Sequence, residues 1–196
     1  GYAERTTTPL IDRLLTEGVS LTAHRSCSSW TYPSMLCALT GQDQVSLGYW
    51  PPNHLSELPP RADDSFTLMA ERFADAGYHT MLASASGFLG QASNMDQGFA
   101  EGQGRFNNGD GSLVDGAQLL SEVSALMAGR PEDSPFFLHV HLLDAHMPYV
   151  PPARYLTELE TLDPTAFDLS TEEGTLTLRV RICTPDGAQI MEASAD

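Results

Sequence analysis

Apolar positions 10, 11, 14 and 15 recur at helical spacing behind Thr8-Pro9. This predicts a helix capped by Thr8, with Pro9 at its first position and Gly18 as its stop. Residues 19–23 alternate apolar and polar, the pattern of a short strand. A serine-rich turn, 26–29, leads into Trp30-Thr31-Tyr32-Pro33, where the proline is expected to open a short helix through Leu39, ended by Gly41. Residues 42–64, rich in Pro, Asp and Asn, read as a surface loop. Phe66, Leu68, Met69, Phe73 and Ala74 mark an amphipathic helix capped by Ser65 and stopped at Gly77, and 78–83 follow as a strand. The glycine-rich stretch 84–112 reads as one long loop, 113–127 as a helix ended by Gly129, and the apolar run 136–143 as a buried strand.

The order helix, strand, helix, helix, strand, helix, strand implies an α/β domain with a largely parallel sheet and crossover helices on both faces. After Tyr155 the character changes. Residues 158–173 are acidic and weakly periodic, 176–182 alternate like a strand, and Pro185-Asp186-Gly187 is a turn or a helix start. Residues 1–155 thus read as one unit and 156–196 as a loop insertion or the start of a further segment. No internal repeat is present.

Composition narrows the partners. The 196 residues carry 26 Asp plus Glu against 10 Lys plus Arg, a formal net charge of −16, and all ten cations are arginine. So acidic a chain argues against a nucleic-acid or anionic-membrane partner. The hydrophobic share of 41% is that of a folded domain. Cys27, Cys37 and Cys183 form no CxxC pair, and reduced structural thiols are the plain reading, with a Cys27–Cys37 bridge the alternative. No run is long enough to span a membrane and no leader is visible.

The chemically informative segment is 28–34 with Leu39-Thr40-Gly41. Thr31 lies just before a proline-initiated helix, where free N–H groups and the helix dipole favour an anion. A hydroxyl there suits attack on a phosphoryl or sulfuryl centre, and helix capping is the alternative role. His141-x-x-Asp144-x-His146 reads as a possible set of metal ligands. His141 fits a buried strand position, Asp144 suits orienting the loop or contacting substrate, and the remaining histidines show no partner spacing.

Thr31-x-Pro33-Ser34 with Leu39-Thr40-Gly41 resembles the nucleophile segment of the sulfatase family, within the alkaline phosphatase superfamily. Gly1-Tyr2, residues 6–14, Glu17-Gly18-Val19, residues 68–80, residues 136–149, Pro151-Pro152 and Tyr155 resemble further segments of that family, in its order and spacing. The resemblance implies an incomplete alkaline-phosphatase-like α/β fold and an ester hydrolase, with Thr31 as nucleophile and metal ligand. It further implies His146 as a catalytic or substrate contact, with Asp144 beside it. A divalent metal (Ca, Zn or Mn) is implied for the full-length protein. Sulfatases proper convert the cysteine of Cys-x-Pro-x-Arg to formylglycine; Thr31 and Met35 at those positions preclude it. Threonine favours a phosphoester over a sulfate ester.

The same resemblance leaves open a phosphoethanolamine-type transferase or a catalytically inactive relative. The family's Gly-Lys-Trp-His stretch is replaced here by residues 83–87, Ala-Ser-Ala-Ser-Gly, and its metal-binding aspartates have no counterpart in the 196 residues. The chain is therefore expected to be about the first half of a larger catalytic domain and to be inactive alone. The substrate implied is a small-molecule, lipid or glycan ester, and extracytoplasmic location follows by analogy only. The last eleven residues faintly resemble a helix of the family.

Overall fold

The computed structural model describes residues 8–48 and 61–146 in full, and the backbone of 167–172, 175–184 and 187–195. The segments resembling the family at 1–7 and beyond 146, through Tyr155, lie outside the fully described residues.

Helix α1 is Pro9–Glu17, with Pro9 at its start. Thr8 is at the N-cap position as expected, but its side chain makes no capping bond: its hydroxyl donates to the Asp12 carboxylate 3.3 Å away. None of α1's residues is buried. The strand expected at 19–23 is absent. Residues 19–23 form no strand pairing among the described residues, and Val19 and Leu21 are exposed. An alternating pattern makes a strand only where a partner satisfies its backbone.

Helix α2 is Thr31–Thr40, so Pro33 is its third residue rather than its first. A proline fits there because first-turn N–H groups have no helical acceptor. Gly41, at φ 69°, ends it and donates to Cys37 O. Helix α3, Met69–Asp75, begins later than Ser65. Its first turn is closed by Glu71, whose carboxylate accepts from Leu68 N at 2.7 Å. Ser65 instead donates its N–H to the Asp63 carboxylate in the preceding turn.

Strand β1, His79–Ser84, is flanked in parallel by β2, Glu101–Gly104, and β3, Phe136–His141. Helix α4, Gly116–Gly129, crosses between β2 and β3, and is capped by Asp115, whose carboxylate accepts from Gln118 N. The stretch 84–112 is thus not one loop. It holds two short 3-10 turns, Gly87–Leu89 and Gln91–Ser93, and all of β2. Glu-Gly-Gln-Gly carries no strand signal, but Gly102 makes the strand possible. It sits at φ 98°, and a Cβ there would lie 1.8 Å from Leu82 O. Only glycine lets the chain lie that close to β1.

The sheet is covered on both faces. Phe137 of β3 stacks on Phe73 of α3 at 4.3 Å. Ala83 and Ala85, at the end of β1, pack with Leu119 of α4 and Val114 on the opposite face. A second core joins Tyr32, Leu36 and Leu39 of α2 to Leu47, Leu68, Leu89 and Met95. The expected α/β class with crossover helices on both faces is observed.

Strands β4, Phe167–Glu172, β5, Thr175–Thr184, and β6, Gly187–Ala195, form an antiparallel three-stranded sheet in that order. Residues 176–182 are a strand as their alternation predicts. The helix suggested for the last residues is corrected to β6, paired along β5 from Thr184↔Gly187 to Leu176↔Ala195. Among the described residues no helix is long and apolar enough to cross a membrane.

Candidate functional site

Thr31 is the first residue of α2, and Trp30, in extended conformation, is the N-cap. The capping role considered for Thr31 therefore belongs to its neighbour. Trp30 supplies no side-chain acceptor, so its side chain does not cap the first turn. Among the described residues the Thr31 hydroxyl has no hydrogen-bond partner.

The local sequence fixes this helix start in three ways. Ser34 donates to Ser28 O at 2.9 Å and accepts from Ser26 Oγ at 2.8 Å, holding the serine-rich turn onto α2. Cys27 and Cys37 form a disulfide with Cα atoms 6.6 Å apart. The reading of both as reduced thiols is therefore corrected: α2 returns Cys37 to the segment that carries Cys27. Finally, the Trp30 and Tyr32 rings meet Phe88 edge-on at 5.8 and 6.0 Å.

Phe88 lies in the turn that follows the carboxyl end of β1. His141, the last residue of β3, pairs with Ser84, the last of β1. Asp144 and His146 follow within five residues. Thr31, Ser84 to Ser86, Asp144 and His146 thus come from segments at the carboxyl edge of the parallel sheet, where open α/β sheets bind ligands. This juxtaposition is one of topology, and Phe88 is the contact that carries it to Thr31. His146 is exposed, its N–H donating to Leu143 O.

Asp144 is engaged elsewhere. Its carboxylate accepts from Gly116 N, the first amide of α4, at 2.9 Å. The reach spans 28 residues and is open because Gly116 has no side chain: a Cβ would lie 2.9 Å from both carboxylate oxygens. Of its two roles, loop orientation has this direct contact and substrate contact has none.

The metal set His141, Asp144 and His146 is not assembled. Among the described residues no three His, Cys, Asp or Glu side chains come together as ligands. Thr31 Oγ alone does not fit a divalent cation, which needs several oxygen or nitrogen donors. His141 and His139 share one face of β3, with rings stacked 6.3 Å apart. Burial, then the neighbouring His141, holds the His139 imidazole below the usual histidine range, and burial does the same to His141. His139 Nε2 is enclosed without a partner. This pair belongs to the neutral interior of the sheet face rather than to a ligand set. Ser86, in the stretch where the family resemblance loses its lysine, also encloses its hydroxyl without a partner.

Beside Phe88 opens a cavity of about 670 Å³ that residue-by-residue reading missed. Its walls come from the two 3-10 turns and β2, with Phe106 meeting Phe88 edge-on at 5.1 Å. The available signal was the clustering of Gly87, Gly90, Gly102 and Gly104 around two phenylalanines.

A family model described as Sulfatase matches residues 1–177. No curated protein and no solved structure matches the chain.

Proposed function

Because the chain belongs to the sulfatase family of ester hydrolases, we propose that Thr31 is the nucleophile of a phosphoester hydrolase and His146 the group facing the leaving oxygen. The single observation that carries this is the state of Thr31. It is a half-buried hydroxyl without a hydrogen-bond partner among the described residues, at the start of a helix whose N-cap side chain makes no capping bond. Such a hydroxyl is free to react, and the N–H groups and dipole beside it favour the anionic ester.

In this reading Thr31 Oγ attacks phosphorus, the bond to the alcohol breaks, and the hydroxyl proton is lost to solvent. His146 supplies a proton to the departing oxygen. Water then cleaves the phospho-threonine to regenerate the hydroxyl. Transfer to a second alcohol in place of water gives the transferase alternative by the same steps. Threonine, which cannot become formylglycine, supports phosphate over sulfate. Metal participation is proposed for the complete gene product only. The described residues do not fit the ion, and we place its other ligands outside residues 1–196.

The test compares bis-p-nitrophenyl phosphate with p-nitrophenyl sulfate, using the complete gene product and its Thr31→Ala and His146→Ala variants with Mn, Zn or Ca. Phosphodiester turnover lost in Thr31→Ala, with a p-nitrophenylphosphoryl group trapped on the Thr31 peptide of the unsubstituted protein, is the expected result. Full activity in Thr31→Ala overturns it, and faster sulfate hydrolysis overturns the ester preference. The 196-residue chain alone is expected to show neither saturable metal binding nor turnover.

A further inference from the structure

The cavity beside Phe88 has an unusual charge. Its one ionisable lining residue is Asp96, half-buried, and no hydrogen bond or ion pair of its carboxylate is formed among the described residues. Arg105, which follows β2, is already clamped to Glu122 on α4, and Arg61 is engaged by Asn94 and Asp64. Two aromatic rings, Phe88 and Phe106, stand in the same walls, and the remaining polar side chains that face it include the neutral amides of Gln91 and Gln103. Ser93 lines it too, but its hydroxyl is taken up by Phe88 O and Gly90 O.

An uncompensated carboxylate with aromatic walls recognises an alkylated ammonium, because rings and carboxylate both attract its charge and its carbon groups keep it from holding a tight water shell. The volume lies within the range of small-molecule sites. Phe88 is at once a wall of this cavity and the ring against which Trp30 and Tyr32, the neighbours of Thr31, are packed. We propose that the cavity is an ammonium-binding subsite, which seats the positively charged end of the alcohol half of the ester whose phosphoryl group faces Thr31. The seating of the alcohol rests on the Thr31 reading; the ammonium preference does not.

The experiment titrates the 196-residue chain with tetramethylammonium chloride, and with uncharged tert-butanol of similar size at matched ionic strength. Binding is followed through the aromatic proton signals of Phe88 and Phe106. Saturable binding of tetramethylammonium at least about tenfold tighter than tert-butanol is expected, weakened about fivefold or more in Asp96→Asn and unchanged in Thr31→Ala. Equal affinity for the two probes, or no binding of either, overturns the proposal even if Asp96→Asn fails to fold. Full affinity in a folded Asp96→Asn overturns it as well. Retained binding in Thr31→Ala, alongside full hydrolysis by that variant in the complete gene product, leaves the ammonium site standing and removes only the nucleophile.

Discussion

The contact between Asp144 and Gly116 can be tested by a double-mutant cycle. Asp144→Ala removes a hydrogen bond from a backbone amide to an ionised acceptor, worth roughly 1.5–3 kcal/mol in favourable settings. It also removes a negative charge from a helix N-terminus, worth roughly 0.3–1 kcal/mol. The low ends sum to about 1.8 kcal/mol, and because the carboxylate is exposed solvent screening lowers the expected loss to about 1–1.5 kcal/mol. Asp144→Asn keeps an acceptor but no charge and should lose about half of that. Gly116→Ala places a Cβ 2.9 Å from both carboxylate oxygens and displaces Asp144, but gains up to about 0.5 kcal/mol of helix propensity at this terminal position. Its net effect should be under about 1 kcal/mol. In a Gly116→Ala background the further change Asp144→Ala should then cost almost nothing, a coupling of about 1 kcal/mol. Urea unfolding with an unchanged m-value reads these differences, and faster hydrogen exchange at the Gly116 amide should accompany them. If the two substitutions add to within about 0.3 kcal/mol, the contact is not made and the loop carrying His146 is not held this way.

Thiol labelling of the denatured, unreduced chain should modify one cysteine, Cys183, and replacing both Cys27 and Cys37 by serine should lower stability by about 3 kcal/mol for so short a loop; three labelled thiols would exclude the bridge. Since His139 and His141 are held below the ordinary histidine value of 6.5, the unfolded chain binds their protons first. Stability should therefore fall as pH drops below about 6.5 and level off once the folded imidazoles also protonate, ahead of the loss below 3.8 from Asp43, Asp63 and Asp110. His139→Phe should flatten the upper part of that profile, and an unchanged slope would show that His139 does not titrate as described. Gly102→Ala should cost at least about 2 kcal/mol or prevent folding, since it combines positive φ with a backbone clash; near-neutral stability would place β2 elsewhere.

The helices were legible because each carries its own start or stop: Pro9 and Gly18 for α1, Gly41 for α2 and Gly129 at the end of α4. Strands β1 and β3 were legible from their apolar stretches, Met81-Leu82-Ala83 and Phe136-Phe137-Leu138, although the burial expected of the second is not observed: every residue of β3 is half-buried or exposed. Strand β2 was not, since its pairing rests on the absence of a side chain at Gly102, and a missing Cβ leaves no hydropathy signal. The strand expected at 19–23 failed for the converse reason: alternation is a local property and a hydrogen-bonded neighbour is not. At the site, the serine pattern announced a tight turn before α2, but Ser34 as its clasp appears only once the helix turns it back toward Ser26 and Ser28. The role of Asp144 was half legible: its spacing to His146 suggested chemistry, and its partner lies 28 residues away.

The central position of β1 also sets an order of assembly. β2 begins 20 residues after its partner position in β1 (Met81↔Glu101), whereas β3 begins 57 residues after its own (His79↔Phe136). Closing the longer chain segment costs about 0.9 kcal/mol more in loop entropy, unless α4 forms first and shortens the gap. The rate of folding should therefore respond to helix-weakening changes within Gly116–Gly129, and β3, with the His146 loop behind it, should be the last strand of this sheet to lock in place.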